Sequence, residues 1–128
     1  QGKESNQLVS TLDLYPTLAK ITGANVPHEL TIDGMDISEF LLDPEKIILP
    51  ERPFFFYARN GNLEAVRLGK WKLHTKKSKG WNKKKKGKFP LSLYNLDTDI
   101  SEINNVANQF PKIAEKLRKL IIEFNEHL

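Results

Sequence analysis

The chain has 128 residues, enough to bury a core without covalent staples. It contains no cysteine, which excludes disulfides, thiolate metal sites and a thiol nucleophile, and no apolar run approaches the roughly 20 residues of a membrane-crossing helix. The net charge of +4 is local: eight lysines lie between Lys76 and Lys88, and the remaining 12 of 20 basic residues face 16 acidic ones, so the basicity belongs to one loop.

The first ten residues, QGKESNQLVS, carry no apolar core of the signal-peptide kind. We expect the chain to begin partway through a longer protein. Residues 8–22 (LVSTLDLYPTLAKIT) then predict a helix, with Leu14, Leu18 and Ile21 at helical spacing. Pro16 belongs in its first turn, and Gly23 is a left-handed stop. Residues 24–34 read as loop, and residues 35–42 as a short helical turn with Asp33 and Asp36 as turn and N-cap residues. A polar link through Asp43, Pro44 and Glu45 leads to Pro50.

Residues 53–58 (PFFFYA) have no alternation, which predicts a central strand covered on both faces. A hairpin over residues 63–75 follows, hinged at Gly69. After the lysine-rich loop, residues 91–96 (LSLYNL) predict a last strand, and DTDISEINN a polar turn. The final helix spans 111–127, with Ile113, Leu117, Leu120, Ile121 and Phe124 forming its apolar stripe. Laying that stripe across the sheet gives an α+β fold. The expectation is a two-layer sandwich of about four antiparallel strands covered by the C-terminal helix, with an additional N-terminal helix.

Within the hairpin, alternation places Trp71, Leu73 and Thr75 on one face and Lys70, Lys72 and His74 on the other. Burying unpaired ammonium groups is costly, so the second face points to solvent, a partner or an anionic ligand. Spacing leaves a solvated edge face and a binding face both open.

Four collinear segments resemble the C-terminal part of the sulfatase family, in its arylsulfatase A-like branch. They are VSTLDLYPTLAKITGANVP (9–27), IDGMDISEFLL (32–42), AVRLGKWKLHT (65–75) and SLYNLDTDISEINNVA (92–107), with Asn95 where the family has aspartate and Ile100 where proline is common. The resemblance implies residues 1–50 as the end of a large sulfatase domain and residues 51–128 as the small C-terminal domain. It implies a parent sulfuric ester hydrolase using calcium and a formylglycine made from a C/S-x-P-x-R motif, in a periplasmic, secreted or lysosomal-type compartment. That motif does not occur in this sequence, so the expectation is a piece that is inert alone, has no cofactor of its own, and forms the active-site rim.

On this resemblance the substrate-binding residues are His74, Lys70 and Lys72, with no catalytic or metal-ligating residue in the chain. The expected partners are the large catalytic domain and a sulfated glycan, lipid or aryl ester, without specific nucleic acid or a membrane span. A dimer through the uncovered face of the first helix is a further expectation. Arg67 either braces the turn 97–102 or touches ligand, while Asp97, Asp99 and Glu102 read as capping residues. His28 and His127 suggest no role. The rival reading is an independent polyanion-binding module, in which the Lys76 to Lys88 loop neutralises phosphate or sulfate and Trp81 stacks.

Overall fold

The computed structural model describes residues 2–27, 29, 31–58, 61–76 and 89–126. It divides into two compact units, Gln1–Pro50 and Glu51–Leu128.

The first unit is built on a capped helix. Ser10 and Asp13 form a reciprocal capping box around a single 3-10 turn, Thr11–Asp13, which runs into α1, Leu14–Thr22. Pro16 sits in the first turn of α1, where its missing N–H removes no helical bond. Gly23, in the left-handed region at φ 72°, closes the C-terminus and returns its N–H and that of Ala24 to the last turn. A second helix, α2, spans Ser38–Leu42, and the Asp36 carboxylate accepts the Ser38 N–H just ahead of it.

Two buried polar side chains of the α1 segment fasten the chain that leads into α2. The Asp13 carboxylate accepts the Ser10 N–H at 2.8 Å and the Met35 N–H at 2.9 Å. Thr17 Oγ1 accepts the Ile37 N–H at 3.0 Å. Both side chains are almost fully buried, and each is paid for by a hydrogen bond, as buried polar groups must be. Leu14, Leu18 and Ile21 lie on a different face and are 51%, 56% and 61% exposed. Among the described residues of this unit, the apolar stripe of α1 is therefore left about half exposed.

The second unit is one antiparallel sheet under one helix. Strands β1 (Phe54–Tyr57), β2 (Leu63–Leu68), β3 (Trp71–His74) and β4 (Ser92–Asn95) lie in the order β1-β2-β3-β4. The register sets Phe55 beside Val66, Val66 beside Leu73, and Leu73 beside Leu93. These side chains share the face on which α3, Pro111–Glu126, packs Ala114, Leu117 and Ile121. Val66, Leu73 and Leu93 have no exposed surface. Phe124 at the far end of α3 stacks on Phe55, ring centres 3.9 Å apart.

The aromatic strand is the main departure from expectation. β1 is an edge strand, and Phe56 and Tyr57 remain 41% and 49% exposed. Its phenylalanines are covered piecemeal. The Arg52 guanidinium lies 4.8 Å from the Phe54 ring centre, and the Lys72 ammonium 4.6 Å from that of Phe56. Cations over aromatic faces supply part of the cover that a neighbouring layer would give.

Gly34 is fixed by contact. A Cβ there would overlap the Leu12 carbonyl and crowd the Asp13 N–H in the 3-10 turn. Gly34→Ala must push the two segments apart at the Asp13–Met35 bond, so we expect a loss of about 1–3 kcal/mol. Hydrogen exchange of the Met35 and Ile37 amides, faster in the variant while those of β2 and β3 are unchanged, checks this.

Candidate functional site

The candidate site lies on the sheet face away from α3. On that face the register aligns Arg67 with Lys72 and Tyr94, and Ala65 with His74 and Ser92. β3 is an inner strand, so the cationic face is not the solvated edge that spacing left open. The Lys72 and His74 side chains are only 17% and 19% exposed.

Their counter-charge is Glu102, in the turn after β4. Its Oε1 accepts from Lys72 Nζ at 2.5 Å, and its Oε2 lies 2.8 Å from His74 Nε2. Glu102 was expected to cap the turn; it does not. Asp99 does that work, one carboxylate oxygen accepting the Ile103 N–H and the other the Asn104 N–H. Glu102 is freed to reach back over β3. It does so with a backbone φ of 54°, a left-handed conformation that disfavours a side-chain-bearing residue by about 1–2 kcal/mol.

Asn105 pins this turn to the strand. Its Oδ1 accepts the Leu93 and Ala107 N–H groups, and its Nδ2 donates to the Leu91 carbonyl and Ser92 Oγ. The Val106 N–H adds a main-chain bond to the Leu93 carbonyl. A depression of about 230 Å³ opens beside the cluster, lined by His74, Phe89, Tyr94, Ile100, Ser101 and Glu102. The Tyr94 and Phe89 rings stand edge-on to the imidazole at 5.8 and 6.4 Å.

The three residues expected to bind substrate are not brought together. Lys72 and His74 converge on Glu102, whereas Lys70 sits in the exposed β2–β3 turn with its ammonium 5.7 Å from the Trp71 ring centre. Arg67 neither joins the cluster nor braces the turn; its Nε donates to the Gly69 carbonyl at 2.9 Å. Residues 77–88, with Trp81 and all but the first lysine of the basic loop, lie outside the described residues, as do His28 and His127.

The acidic turn does not suit calcium. Calcium takes six to eight oxygen ligands, yet Asp99 has committed its oxygens to backbone N–H groups and Glu102 to Lys72 and His74. Among the described residues, no three His, Asp or Glu side chains gather in a metal-holding group.

Comparison with known proteins places the chain. Residues 50–128 match the family model for the C-terminal region of aryl-sulfatase. The chain belongs to the sulfatase family. This sulfatase segment is 42% identical over 74 residues to arylsulfatase A of Bos taurus, covering 55% of the chain and 14% of that protein. It is 38% identical over 73 residues to N-acetylgalactosamine-6-sulfatase of Sus scrofa, covering 57% and 13% respectively. A solved structure from work on glycosaminoglycan metabolism by Bacteroides thetaiotaomicron matches 88% of the chain with a TM-score of 0.65 and 25% identity, and the chain covers 24% of it. The segment thus spans a quarter or less of each. The α+β fold, with four antiparallel strands, a C-terminal helix and an N-terminal helix, is that of sulfatase neighbours.

The cluster carries a defined pH dependence. Partial burial pushes the Glu102 carboxyl up, but the Lys72 hydrogen bond, the Lys72 charge and His74 outweigh it and hold it below the usual glutamate range. A carboxyl depressed on folding stabilises the fold above its unfolded pKa, and that contribution disappears as pH falls through the folded value. Stability should therefore decline below about pH 4.3, the ordinary glutamate value. Urea midpoints between pH 7 and pH 3 should fall less steeply for Glu102→Gln than for the parent chain.

Proposed function

We propose that this chain is the C-terminal part of a sulfuric ester hydrolase and forms the rim of its active site, where Lys72 and His74 meet a sulfated substrate. One observation carries the reading. In a member of the sulfatase family, the Lys72 ammonium and the His74 imidazole of a single strand converge on Glu102 beside a depression with aromatic walls. Positive groups held at low exposure are worth more to an anion than solvated ones. Lys72 supplies fixed charge, and His74 an N–H donor to a sulfate oxygen or to the alcohol portion. Lys70, in the exposed turn, adds long-range attraction.

A sulfated glycan is the favoured substrate over a lipid or aryl ester. Phe89 and Tyr94 offer faces and edges on which a sugar ring can rest, and similar proteins include one named for a sulfated amino sugar and one from glycosaminoglycan metabolism. The nucleophile and the calcium of the parent enzyme belong, on this reading, to its large catalytic domain, which is also the partner that covers Leu14, Leu18 and Ile21. In its absence that face promotes pairing of two copies. A periplasmic, secreted or lysosomal-type compartment fits the substrate class.

In the full-length parent, Lys72→Ala and His74→Ala should each raise KM for a 6-sulfated N-acetylhexosamine about tenfold, the effect of losing roughly 1.4 kcal/mol of binding. The rate constant kcat should stay within about twofold, because a rim contact serves ground state and transition state alike. Unchanged KM in both variants would remove the rim role. The 128-residue chain alone, supplied with calcium, should not hydrolyse p-nitrophenyl sulfate; turnover would overturn the assignment of the nucleophile to another part of the parent.

A further inference from the structure

We infer that the outward face of α3 is a docking track for a sulfated polysaccharide chain, held by Lys112, Lys116 and Lys119 and separate from the depression beside His74. The track itself stands on the charges of α3. The choice of a sulfated glycan as its occupant rests on the reading of the parent as a glycan-directed sulfatase.

The helix sorts its side chains by face. Ala114, Leu117 and Ile121 are buried against the sheet. Lys112, Lys116 and Lys119, at i, i+4 and i+7, project from the opposite side. All three are exposed, and they span about 10 Å of helix axis. With Pro111 and Glu115 they line a shallow, mostly apolar groove of about 500 Å³. Lysine stems supply such a floor while their ammonium groups stand in water at its margin. Among the described residues, no acid lies within ion-pair distance of these three ammonium groups, and the Glu115 carboxylate turns instead to Arg118, at 3.7 Å.

The same face continues into Glu123 and Glu126. The first turn of α3 thus carries Lys112 and no acid, and the last turn carries acids and no base. The helix macrodipole favours the reverse order, so helix stability does not account for it. Recognition of an extended anion does: the cations at one end of the face hold the chain, and the acids at the other limit where it lies. A second copy setting its acidic end on the basic end would gain only exposed ion pairs, each worth little. A nucleic acid is held in part by rings on which its bases stack. The groove has none, and Phe110 and Trp71, just ahead of it, pack on each other with ring centres 5.0 Å apart. Lysine ammonium groups are point charges on flexible stems, which suits sulfate groups spaced along a sugar chain. Because α3 covers the sheet face opposite the depression, a long chain held on it leaves the depression free and raises the effective concentration of its other units there.

The test titrates the 128-residue chain with a heparin hexasaccharide and follows backbone amide signals by NMR, in a background where the eight lysines from Lys76 to Lys88 are replaced by serine. The signals of residues 112–119 should shift saturably, and the desulfated hexasaccharide should leave them in place. Lys112→Gln/Lys116→Gln/Lys119→Gln should weaken binding about tenfold and lower the slope of log Kd against log salt concentration by about two, as fewer counter-ions are released. The melting temperature of this triple variant should not fall, because the change takes a cation from the positive end of the helix, and that separates lost binding from lost folding. In the full-length parent the same variant should raise KM for a sulfated polymer and leave KM for the 6-sulfated N-acetylhexosamine unchanged. Undiminished hexasaccharide binding by the triple variant, or no saturable shift in residues 112–119, overturns the track and leaves the rim reading standing. Failure of the rim reading shows instead in the Lys72 and His74 variants on the monosaccharide. Polyuridylate bound as tightly as the hexasaccharide overturns the glycan assignment in favour of a nucleic acid. A dimer in sedimentation that the triple variant dissolves overturns it in favour of a second copy.

Discussion

The burial of Leu73 governs the second unit. It lies wholly enclosed between Val66 and Leu93, under the Leu117 and Ile121 side of α3. Strand side chains alternate strictly, so once Leu73 faces the helix, Lys72 and His74 must face the other way. A register slip by one residue would put the Lys72 ammonium and the His74 imidazole into the apolar layer and Leu73 outside it. The position of the candidate site is thus a by-product of core packing.

That second face is neither core nor open surface. With a single helix to cover one side, the sheet presents Lys72 and His74, which the turn 97–107 meets through Glu102. The counter-charge comes from that turn. Asn105 and Val106 fix the turn to β4, and Asp99 shapes it, which leaves Glu102 reaching back across β3 at the expense of its backbone conformation. The left-handed backbone of Glu102 lies beside the depression lined by His74, Phe89, Tyr94 and Glu102 itself.

The first unit is governed differently. Its two sulfatase-like segments are joined by polar side chains, Asp13 and Thr17, that hydrogen-bond backbone N–H groups of Met35 and Ile37. Polar fastening of this kind demands little apolar surface, which is consistent with Leu14, Leu18 and Ile21 being left outside. The stripe that periodicity assigns to a core has none within the described residues of this chain. The chain spans a small fraction of its relatives, and an amphipathic stripe reports only that a partner surface is needed, not where it lies.

The sequence by itself was sufficient for what local chemistry dictates. Period-3.6 patterning placed α1 and α3, Gly23 ended α1, alternation sorted β3 into its two faces, and four collinear segments carried the family. Tertiary structure decided what depends on neighbours far apart in the chain. PFFFYA looked internal because consecutive aromatics carry no sign of which flank is paired, yet β1 is an edge strand whose rings are covered by Arg52, Lys72 and Phe124. Lys70 shared a parity with Lys72 but fell in the turn, where alternation no longer applies. Glu102 was indistinguishable from its capping neighbours, since no pattern of residues reveals a left-handed φ or a contact 30 positions away. Periodicity is a property of one segment; the pairing of charges is a property of two, and only the folded chain brings those two together.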